Sequence, residues 1–196
     1  MAKNTRERIL DAALMIFARD GYVGTNIKDI AESVGIVKSA LYRHFESKEE
    51  IWKAVQEMMI SYYAEHFGSV DRLPAIPGDT GELYEMTMRM VNFTVNDEKV
   101  VMMRRILLTE QFRDETVRKL ASDYFIHDTE AIFTRVFSEM MKSGAIRKDD
   151  PEMLAFSYTT PVTALIHLCD REPEKKEEAL LKVQQFVRHF IAEYGI

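Results

Sequence analysis

Apolar residues near the start of the chain recur at the spacing of an α-helix. Four of them share a face, because each lies three or four residues from another member of the set: Ile9, Ala13, Ile16 and Phe17. The pattern predicts a first helix over residues 5–19. Gly21 follows at the place where a helix commonly ends in a left-handed residue, so we expect a sharp turn there.

Two shorter helices are predicted next. Thr25 can cap a helix whose apolar residues follow the i, i+3, i+4, i+7 pattern: Ile27, Ile30, Ala31 and Val34. Gly35 ends this helix, and a third helical segment covers residues 38–45. Two short helices joined by a glycine-containing turn are typical of a helix-turn-helix motif.

The third segment has two chemically different sides. Ile36, Leu41 and Phe45 form the side that we expect to be buried. The side chains that point away include donors and an aromatic ring but no carboxylate: Lys38, Ser39, Ala40, Tyr42, Arg43 and His44. Such a surface suits a groove lined with phosphates.

The rest of the chain keeps the helical pattern. Ser47 and Glu50 form a capping box at the start of a long helix that fades near Gly68. Glycine and proline punctuate residues 68–81, which predicts a loop. Five more helical segments follow: 82–96, 98–112, 114–143, 151–169 and 174–194. The sequence shows neither a strand pattern nor an internal repeat.

The predicted fold is therefore all-α, with about nine helices. A three-helix, helix-turn-helix head over residues 1–48 precedes a larger antiparallel helical body over residues 49–196. Eight Gly and five Pro in 196 residues are too few for the frequent turns of a sandwich or barrel.

Charge is distributed unevenly along the chain. The formal net charge is −6, which taken alone argues weakly against a nucleic-acid binder. Residues 1–48, however, carry eight Lys and Arg against six acids, whereas the remaining 148 residues carry 18 against 26. An acidic body and a locally basic head would orient the protein toward a polyanion.

The sequence gives little support to enzymatic or metal chemistry. It contains neither a phosphate-binding loop, a dinucleotide-binding glycine motif, a zinc-binding His-Glu-x-x-His motif nor a Glu-x-x-His pair. Asp123 and His127 have i, i+4 spacing but stand alone. Cys169 is the single cysteine, which excludes an intramolecular disulfide and a cysteine-rich metal site. We expect no catalytic residues, no metal and no cofactor.

The sequence predicts a cytoplasmic protein with no membrane partner. Asp11 interrupts the first apolar stretch and no small-residue cleavage site follows, which disfavours a signal peptide. The longest charge-free run, between Glu152 and Asp170, has 17 residues and several hydroxyl groups. It is too short and too polar to span a bilayer.

Several short stretches between Gly21 and Glu50 resemble a known family. They are Gly21-Tyr22, Thr25, Ile30-Ala31, Val34-Gly35-Ile36, Leu41-Tyr42-Arg43-His44-Phe45 and Ser47-Lys48-Glu49. Together they resemble the DNA-binding head of the tetracycline-repressor (TetR) family of bacterial transcription regulators. The resemblance covers about the first 50 residues. The helix count, the linker length and residues 144–151 are similar to that family in architecture only.

The resemblance implies a set of DNA contacts. It assigns Thr25 to backbone phosphate, Lys38, Ser39 and Ala40 to base edges or phosphate, and Tyr42, His44 and Lys48 to phosphates. Val37 stands where the family usually has a capping Ser, so the cap is missing and its methyl groups could meet a thymine methyl. A dimer would place two such helices in successive major grooves, about 34–36 Å apart, on a palindromic operator.

Methionine and aromatic residues suggest a ligand pocket in the body. Twelve Met, eleven Phe and eight Tyr are more than a minimal core requires. The candidate lining combines apolar residues with a few polar points: Met86, Met90, Phe93, Met103, Leu107, Tyr124, His127, Tyr158, Thr159 and His167. Methionine also fills ordinary cores, so plain packing is the alternative for each residue.

The segment from Glu152 to Asp170 also suggests a dimer contact. It is nearly uncharged on all sides, which implies burial all round, and one chain need not supply enough cover. We expect residues 152–170 and 174–194 to pair with their symmetry mates in a homodimer. Pro161 cannot donate to the Ser157 carbonyl, so a kink bordering a cavity is expected there.

The resulting hypothesis is a dimeric repressor that a small, largely apolar effector releases from a palindromic operator. Ligand-relieved repression is the family's common mode, with corepression and activation as other modes. The alternative is a helical small-molecule- or lipid-binding protein, or an enzyme, with a vestigial DNA-binding head. A DNA-binding dimer without an effector is the third interpretation.

Overall fold

The structure is a computed structural model that describes residues 4–67 and 75–196. Its α-helices are α1 (Thr5–Gly24), α2 (Ile27–Val34), α3 (Lys38–Leu41), α4 (Lys48–Phe67), α5 (Thr80–Asn96), α6 (Glu98–Glu110), α7 (Glu115–Ser122), α8 (Asp128–Ser143), α9 (Pro151–Arg171) and α10 (Lys176–Tyr194). A π-helix, Asp123–His127, joins α7 to α8, and a 3-10 turn, Pro173–Lys175, precedes α10.

The all-α fold class is confirmed. Backbone angles stay helical from α7 through the π-helix into α8, so these three segments are continuous along the chain within residues 114–143, as predicted. Counted in this way, the two described ranges contain nine helices. They contain no strand, only an isolated antiparallel bridge between Ile146 and Gly195. The predicted loop at 68–81 lies partly outside the described residues, and residues 75–79 are non-helical.

The chain forms two compact units. The head unit comprises the described residues up to Glu65 together with Met102–Ala121. The body unit comprises the described residues of His66–Val101 together with Ser122–Ile196. This division follows packing, whereas the division at residue 48 predicted from the sequence is a functional one and stays a prediction.

Apolar faces of the helices form the core of the head unit. The four residues whose spacing predicted α1 are all buried there. Leu41 and Phe45, predicted to face inward, are 0% and 1% exposed. Other members of this core lie on α2, α4 and α6: Ile30, Ile51, Val55, Met103, Ile106 and Leu107. Side chains from the short α2 and α3 thus hold these helices in place.

The turns around α2 follow the sequence prediction except at one cap. Gly21 has a φ of 71° and interrupts helical geometry near the end of α1. Gly35 ends α2 in the left-handed conformation. The predicted Thr25 cap is wrong: Asn26 caps α2, because its side chain accepts from the Lys28 amide. The Thr25 hydroxyl instead donates to the Gly21 carbonyl, 2.7 Å away.

The third helix is shorter than predicted. α3 ends at Leu41 rather than at residue 45, and Tyr42 to His44 continue as a hydrogen-bonded turn. Val37, at the N-cap, makes no side-chain hydrogen bond to the helix, as expected for a residue without a polar side chain. The Phe45 amide still donates to the Leu41 carbonyl at 3.2 Å. The turn after α3 therefore keeps Leu41 and Phe45 on the same buried side of the segment.

The body unit has an aromatic core centred on Tyr158 of α9. The Tyr158 ring lies 5.1 Å from Phe133, 5.3 Å from Phe137 and 4.6 Å from Phe190, measured between ring centroids. Its hydroxyl pairs with the Thr87 hydroxyl at 2.7 Å. Burial raises the pKa of Tyr158 well above its ordinary value, so the phenol stays protonated.

The ends of α9 follow the sequence prediction. Gly144 adopts the left-handed conformation after α8, and the Asp150 side chain caps α9 with Pro151 in its first turn. α9 continues through Pro161 to Arg171. The Ser157 hydroxyl donates to the Leu154 carbonyl at 3.0 Å.

Candidate nucleic-acid interface

The outward side of α3 and its following turn carries most of the predicted DNA contacts. Lys38, Ser39 and His44 are exposed, Ala40 is half-buried, and Tyr42 is 41% exposed. Arg43 is also exposed on this surface. The predicted sidedness is confirmed for the outward-facing donors and for the buried Leu41 and Phe45, whereas Ile36, which was also expected to be buried, is half-buried. We call the side of residues 38–44 that faces away from the buried Leu41 the reading surface.

Three exposed cations near this surface contact other groups of the head unit. The Arg8 guanidinium donates to the Val34 carbonyl at the end of α2, at 2.6 Å. The Arg6 guanidinium lies 4.8 Å from the centre of the Phe45 ring. The Lys38 ammonium lies 5.7 Å from the Tyr42 ring, a weak cation–π arrangement. The Arg8 guanidinium thus has a main-chain hydrogen-bond partner, whereas among the described residues the Lys38 ammonium has only a weak contact with an aromatic ring.

Thr25 and Lys48 lie in a different setting from the reading surface. The Thr25 side chain is buried, with 4% exposure, and its hydroxyl is used by Gly21. The Lys48 ammonium donates to the Tyr22 carbonyl at 2.9 Å and to the Thr25 carbonyl at 3.0 Å. It also lies 4.5 Å from the centre of the Tyr22 ring. Both side chains thus bind the chain itself.

A shallow surface cavity of about 360 Å³ borders both the reading surface, at Lys38, and the region of Thr25 and Lys48. Residues 23–27 line one part of it, and Lys38 and Lys48 line the rest. Three of the seven predicted DNA-contacting residues therefore border one depression: Thr25, Lys38 and Lys48. A depression rimmed by two lysines offers an electrostatically favourable place for an anion.

A network of aromatic and acidic residues stabilises the head unit, and sequence spacing does not reveal it. The Phe17 and Tyr22 rings both pack against Trp52, at 4.9 Å and 5.2 Å between centroids. The Trp52 indole N–H donates to Asp114 Oδ2 at 2.8 Å. The Tyr22 hydroxyl donates to Glu49 at 3.0 Å. Burial, with the Glu49 hydrogen bond, raises the pKa of Tyr22 to about 12.

A buried carboxylate on α6 belongs to the same network. Glu110 is 2% exposed, and its Oε1 accepts from the Tyr22 amide at 3.3 Å. A Cβ atom at Gly21 would lie 2.8 Å from that oxygen. The positive φ therefore favours glycine at position 21, and a Cβ there would also displace the end of the Glu110 side chain.

The predicted pocket residues of the body unit have different exposures. Met86, Tyr158 and Thr159 are buried, whereas Met90, Phe93, Tyr124 and His167 are half-buried and His127 is exposed. The Phe93 ring stacks on His66 at 5.0 Å, and Phe125 meets His167 edge-on at 4.7 Å. Met103 and Leu107 are fully buried and belong to the head unit. The pocket remains a prediction.

The structure also describes the surface of the predicted dimer helices. One face of α9 presents five residues that carry no charge: Met153, Phe156, Ser157, Thr160 and Ala164. Met153 is 59% exposed and Phe156 is 50% exposed. On α10 the exposed large apolar residue is Leu181, at 53%. We call the uncharged face of α9 the apolar stripe.

Among the described residues, no group of three or more His, Cys, Asp or Glu side chains is arranged to hold a metal ion. Within the same residues, none of the helices combines the length and apolarity that crossing a bilayer requires.

Comparisons with known proteins identify the family. One family model, described as bacterial regulatory proteins of the tetR family, matches residues 9–55. A second, described as the C-terminal domain of AefR-like transcriptional repressors, matches residues 81–196, more than half of the chain. The chain belongs to the TetR family. The resemblance suggested by the sequence is thus confirmed.

Curated TetR-family relatives match parts of the chain. The transcriptional regulator AcrR of Shigella flexneri is 31% identical over 108 residues, which are 55% of this chain and 47% of AcrR. IcaR of Staphylococcus epidermidis, the negative transcriptional regulator of the biofilm operon icaADBC, is 40% identical over 58 residues, 30% of this chain and 31% of IcaR. The chain spans about half of AcrR and about a third of IcaR.

A solved structure shares the fold over nearly the whole chain. SmeT is the repressor of the Stenotrophomonas maltophilia multidrug efflux pump SmeDEF. Its complex with triclosan superposes with a TM-score of 0.72 at 22% identity, covering 99% of this chain and 93% of SmeT. At this identity, the likeness establishes the TetR-family fold alone.

Proposed function

We propose that this TetR-family protein is a dimeric, DNA-binding repressor that recognises an inverted-repeat operator through the reading surface. Residues 1–48 serve as the DNA-binding domain, and residues 49–196 serve for ligand binding and dimerisation. A small, largely apolar ligand in the body releases the protein from DNA. The relatives named as repressors, and the AefR-like C-terminal match, support repression.

The sidedness of the α3 segment carries the proposal. Lys38, Ser39, Tyr42, Arg43 and His44 are exposed, and residues 37–45 contain no acid. The buried Leu41 and Phe45 fix which way these donors point. Such a surface can bind phosphates and reach base edges in a major groove, where phosphate contacts fix the register and base contacts give specificity.

The apolar stripe supports the dimer. Met153 and Phe156 leave two large apolar side chains exposed on one face of the helix, and the stripe holds no charge that a second copy would have to desolvate. Packing it against its symmetry mate buries Met153 and Phe156 in an isologous contact. The proposed interface includes residues 152–170 and 174–194, as the sequence predicted.

The effector site is proposed among the half-buried residues of the body unit. Met90, Phe93, Tyr124 and His167 combine adaptable apolar surface with a few polar groups. SmeT has been solved with triclosan, which supports a ligand site in this fold. To shift the protein from 99% to 1% DNA-competent, a ligand must prefer the released form about 10⁴-fold, or about 5.5 kcal/mol.

Selection of bound fragments from random duplex DNA tests the proposal. The full chain is expected to enrich an inverted repeat whose half-sites are about one helical turn apart, or multiples of it. A matched variant, Lys53→Ala on the exposed side of α4, should enrich the same repeat. Failure to enrich any sequence, with retention of DNA that does not depend on salt, would overturn the proposal.

A further inference from the structure

Lys48 is placed differently from the other cations of the head unit. We propose that Lys48 is a positioning residue: its ammonium fixes the connection between α1 and α2 and thereby the DNA-binding surface, rather than binding a DNA phosphate itself. The inference rests on the proposed function, and it departs from the phosphate role that the family resemblance implies for this residue.

The contacts of the Lys48 ammonium carry the inference. It donates to the Tyr22 and Thr25 carbonyls at 2.9 Å and 3.0 Å, and it sits 4.5 Å from the centre of the Tyr22 ring. Two of its three N–H donors are thus used by the chain, and the ring covers part of its surface. The side chain is half-buried.

The two carbonyls show what the ammonium holds. Tyr22 follows the break in α1 at Gly21, and Thr25 is the last residue before the Asn26 cap of α2. Lys48 is the first residue of α4, so one side chain ties the starts of α2 and α4 to the end of α1. Without it, these carbonyls lose a charged donor in a half-buried place, and the connection can move.

Lys38 provides the contrast. Its side chain is exposed, and its ammonium is 5.7 Å from the Tyr42 ring, beyond the distance at which Lys48 is held by Tyr22. Both lysines border the same surface cavity, so position along the cavity does not separate their roles. What separates them is that the Lys48 ammonium donates to two main-chain carbonyls, whereas within the described residues the Lys38 ammonium contacts only the Tyr42 ring.

The first test uses the unaltered protein and follows lysine labelling by mass spectrometry. The full chain is treated with formaldehyde and a mild reductant, with and without an operator duplex recovered by selection. Lys48 should be labelled at least about tenfold more slowly than the exposed Lys53 in free protein, with little further change on DNA. Lys38 should be protected from labelling only when the operator duplex is bound. Labelling of Lys48 as fast as Lys53 in free protein would overturn the inference.

The second test uses the salt dependence of operator binding. Each phosphate contact contributes about 0.9 to the slope of log K against log salt, so Lys38→Met should lower the slope by about 1.8 per dimer. Lys48→Met should weaken binding about tenfold and leave the slope within error of the Lys53→Met control. Measurements are made at a temperature where circular dichroism shows each variant to be folded.

Two results of the salt experiment would overturn the inference. A slope lowered as much by Lys48→Met as by Lys38→Met would make Lys48 a phosphate ligand. If folded Lys48→Met binds the operator as tightly as the unaltered protein, Lys48 contributes only to the stability of the fold. If the unaltered protein binds no duplex, the proposed function fails, whereas slow labelling of Lys48 in free protein still establishes the internal contacts.

Discussion

Helices α3 and α9 both leave a face exposed in the single chain, and the two faces differ in chemistry. The reading surface around α3 presents ammonium, guanidinium, imidazole and hydroxyl groups. The apolar stripe of α9 presents methionine, phenylalanine, hydroxyl and methyl groups without a charge. A polyanion suits the first face, and a second copy of the same uncharged face suits the second.

The two helices also differ in what holds them. α3 is four residues long and has no side-chain cap, so it depends on Leu41 and Phe45 for its position. α9 is 21 residues long and is capped by Asp150. The short α3 is thus positioned by buried side chains of the head core, whereas the long, capped α9 presents an exposed face over several helical turns.

The strongest test of the comparison introduces a charge into the apolar stripe. Phe156→Glu should weaken dimerisation more than hundredfold, because two carboxylates would meet across an isologous contact and lose water. Sedimentation velocity at several concentrations measures this. Operator binding should fall with it, since one protomer reaches only one half-site.

A charge elsewhere on the body serves as the control for Phe156→Glu. Asn92 is exposed on α5, so Asn92→Glu adds the same charge outside the proposed interface and should leave the dimer intact. A Phe156→Glu protein that remains dimeric and binds operator normally would remove α9 from the interface.

The second test removes the core contact of α3. Leu41→Ala should lower the free energy of unfolding by about 2–5 kcal/mol, because Leu41 is fully buried and a cavity would replace its side chain. Urea unfolding followed by fluorescence of Trp52, the chain's single tryptophan, measures the change at one protein concentration. Leu41→Met, which nearly conserves volume, should cost less than about 1.5 kcal/mol. Equal stability of both variants would contradict the dependence of α3 on this contact.

The third test removes one hydroxyl from the reading surface. Tyr42→Phe keeps the ring and should weaken operator binding by roughly 10- to 100-fold, since a hydrogen bond to a charged group contributes about 1.5–3 kcal/mol. Fluorescence anisotropy with a labelled operator measures this. Tyr84→Phe, the same change in the body unit, is the control. Unchanged affinity of Tyr42→Phe would exclude Tyr42 as a phosphate ligand through its hydroxyl.

Local pattern predicted the helices well because each buries one periodic face. The stretches that predicted α1, α2 and α4 to α10 correspond to helices, apart from shifts at their ends and the π-helix within residues 114–143. The length of α3 was overestimated because Leu41 and Phe45 satisfy a helical period that a turn also satisfies over one repeat. The capping residue of α2 was missed because Thr25 and Asn26 are both good N-caps, and the contact with Gly21 decides between them.

Contacts distant in sequence were beyond the pattern. Trp52 and Asp114 are 62 positions apart, and Tyr22 and Glu110 are 88 positions apart, so no helical period relates them. The same holds for Lys48, whose residue type suggests a phosphate contact while its two carbonyl partners lie more than 20 positions earlier. Outward-facing residues were predictable, whereas side chains used inside the head required the packed structure.

The smallest expected effect concerns Asp114, which helps to hold the head unit that supports the reading surface. Burial alone would raise the pKa of this carboxyl, but hydrogen bonds from the Trp52 indole, the Val117 amide and the Gln56 amide outweigh it and lower the pKa below its ordinary value. A lowered folded-state pKa stabilises the protein above the unfolded value, near pH 4, and this stabilisation is lost as the pH falls through the folded pKa.

Asp114→Asn should therefore be about 1 kcal/mol less stable at pH 7 and lose less stability between pH 4 and pH 3 than the unaltered protein. Urea unfolding followed by Trp52 fluorescence across this range measures the difference, with the exposed Asp149→Asn as the control. Parallel losses in Asp114→Asn and the unaltered protein would show that the Trp52 contact does not depend on the charge of Asp114.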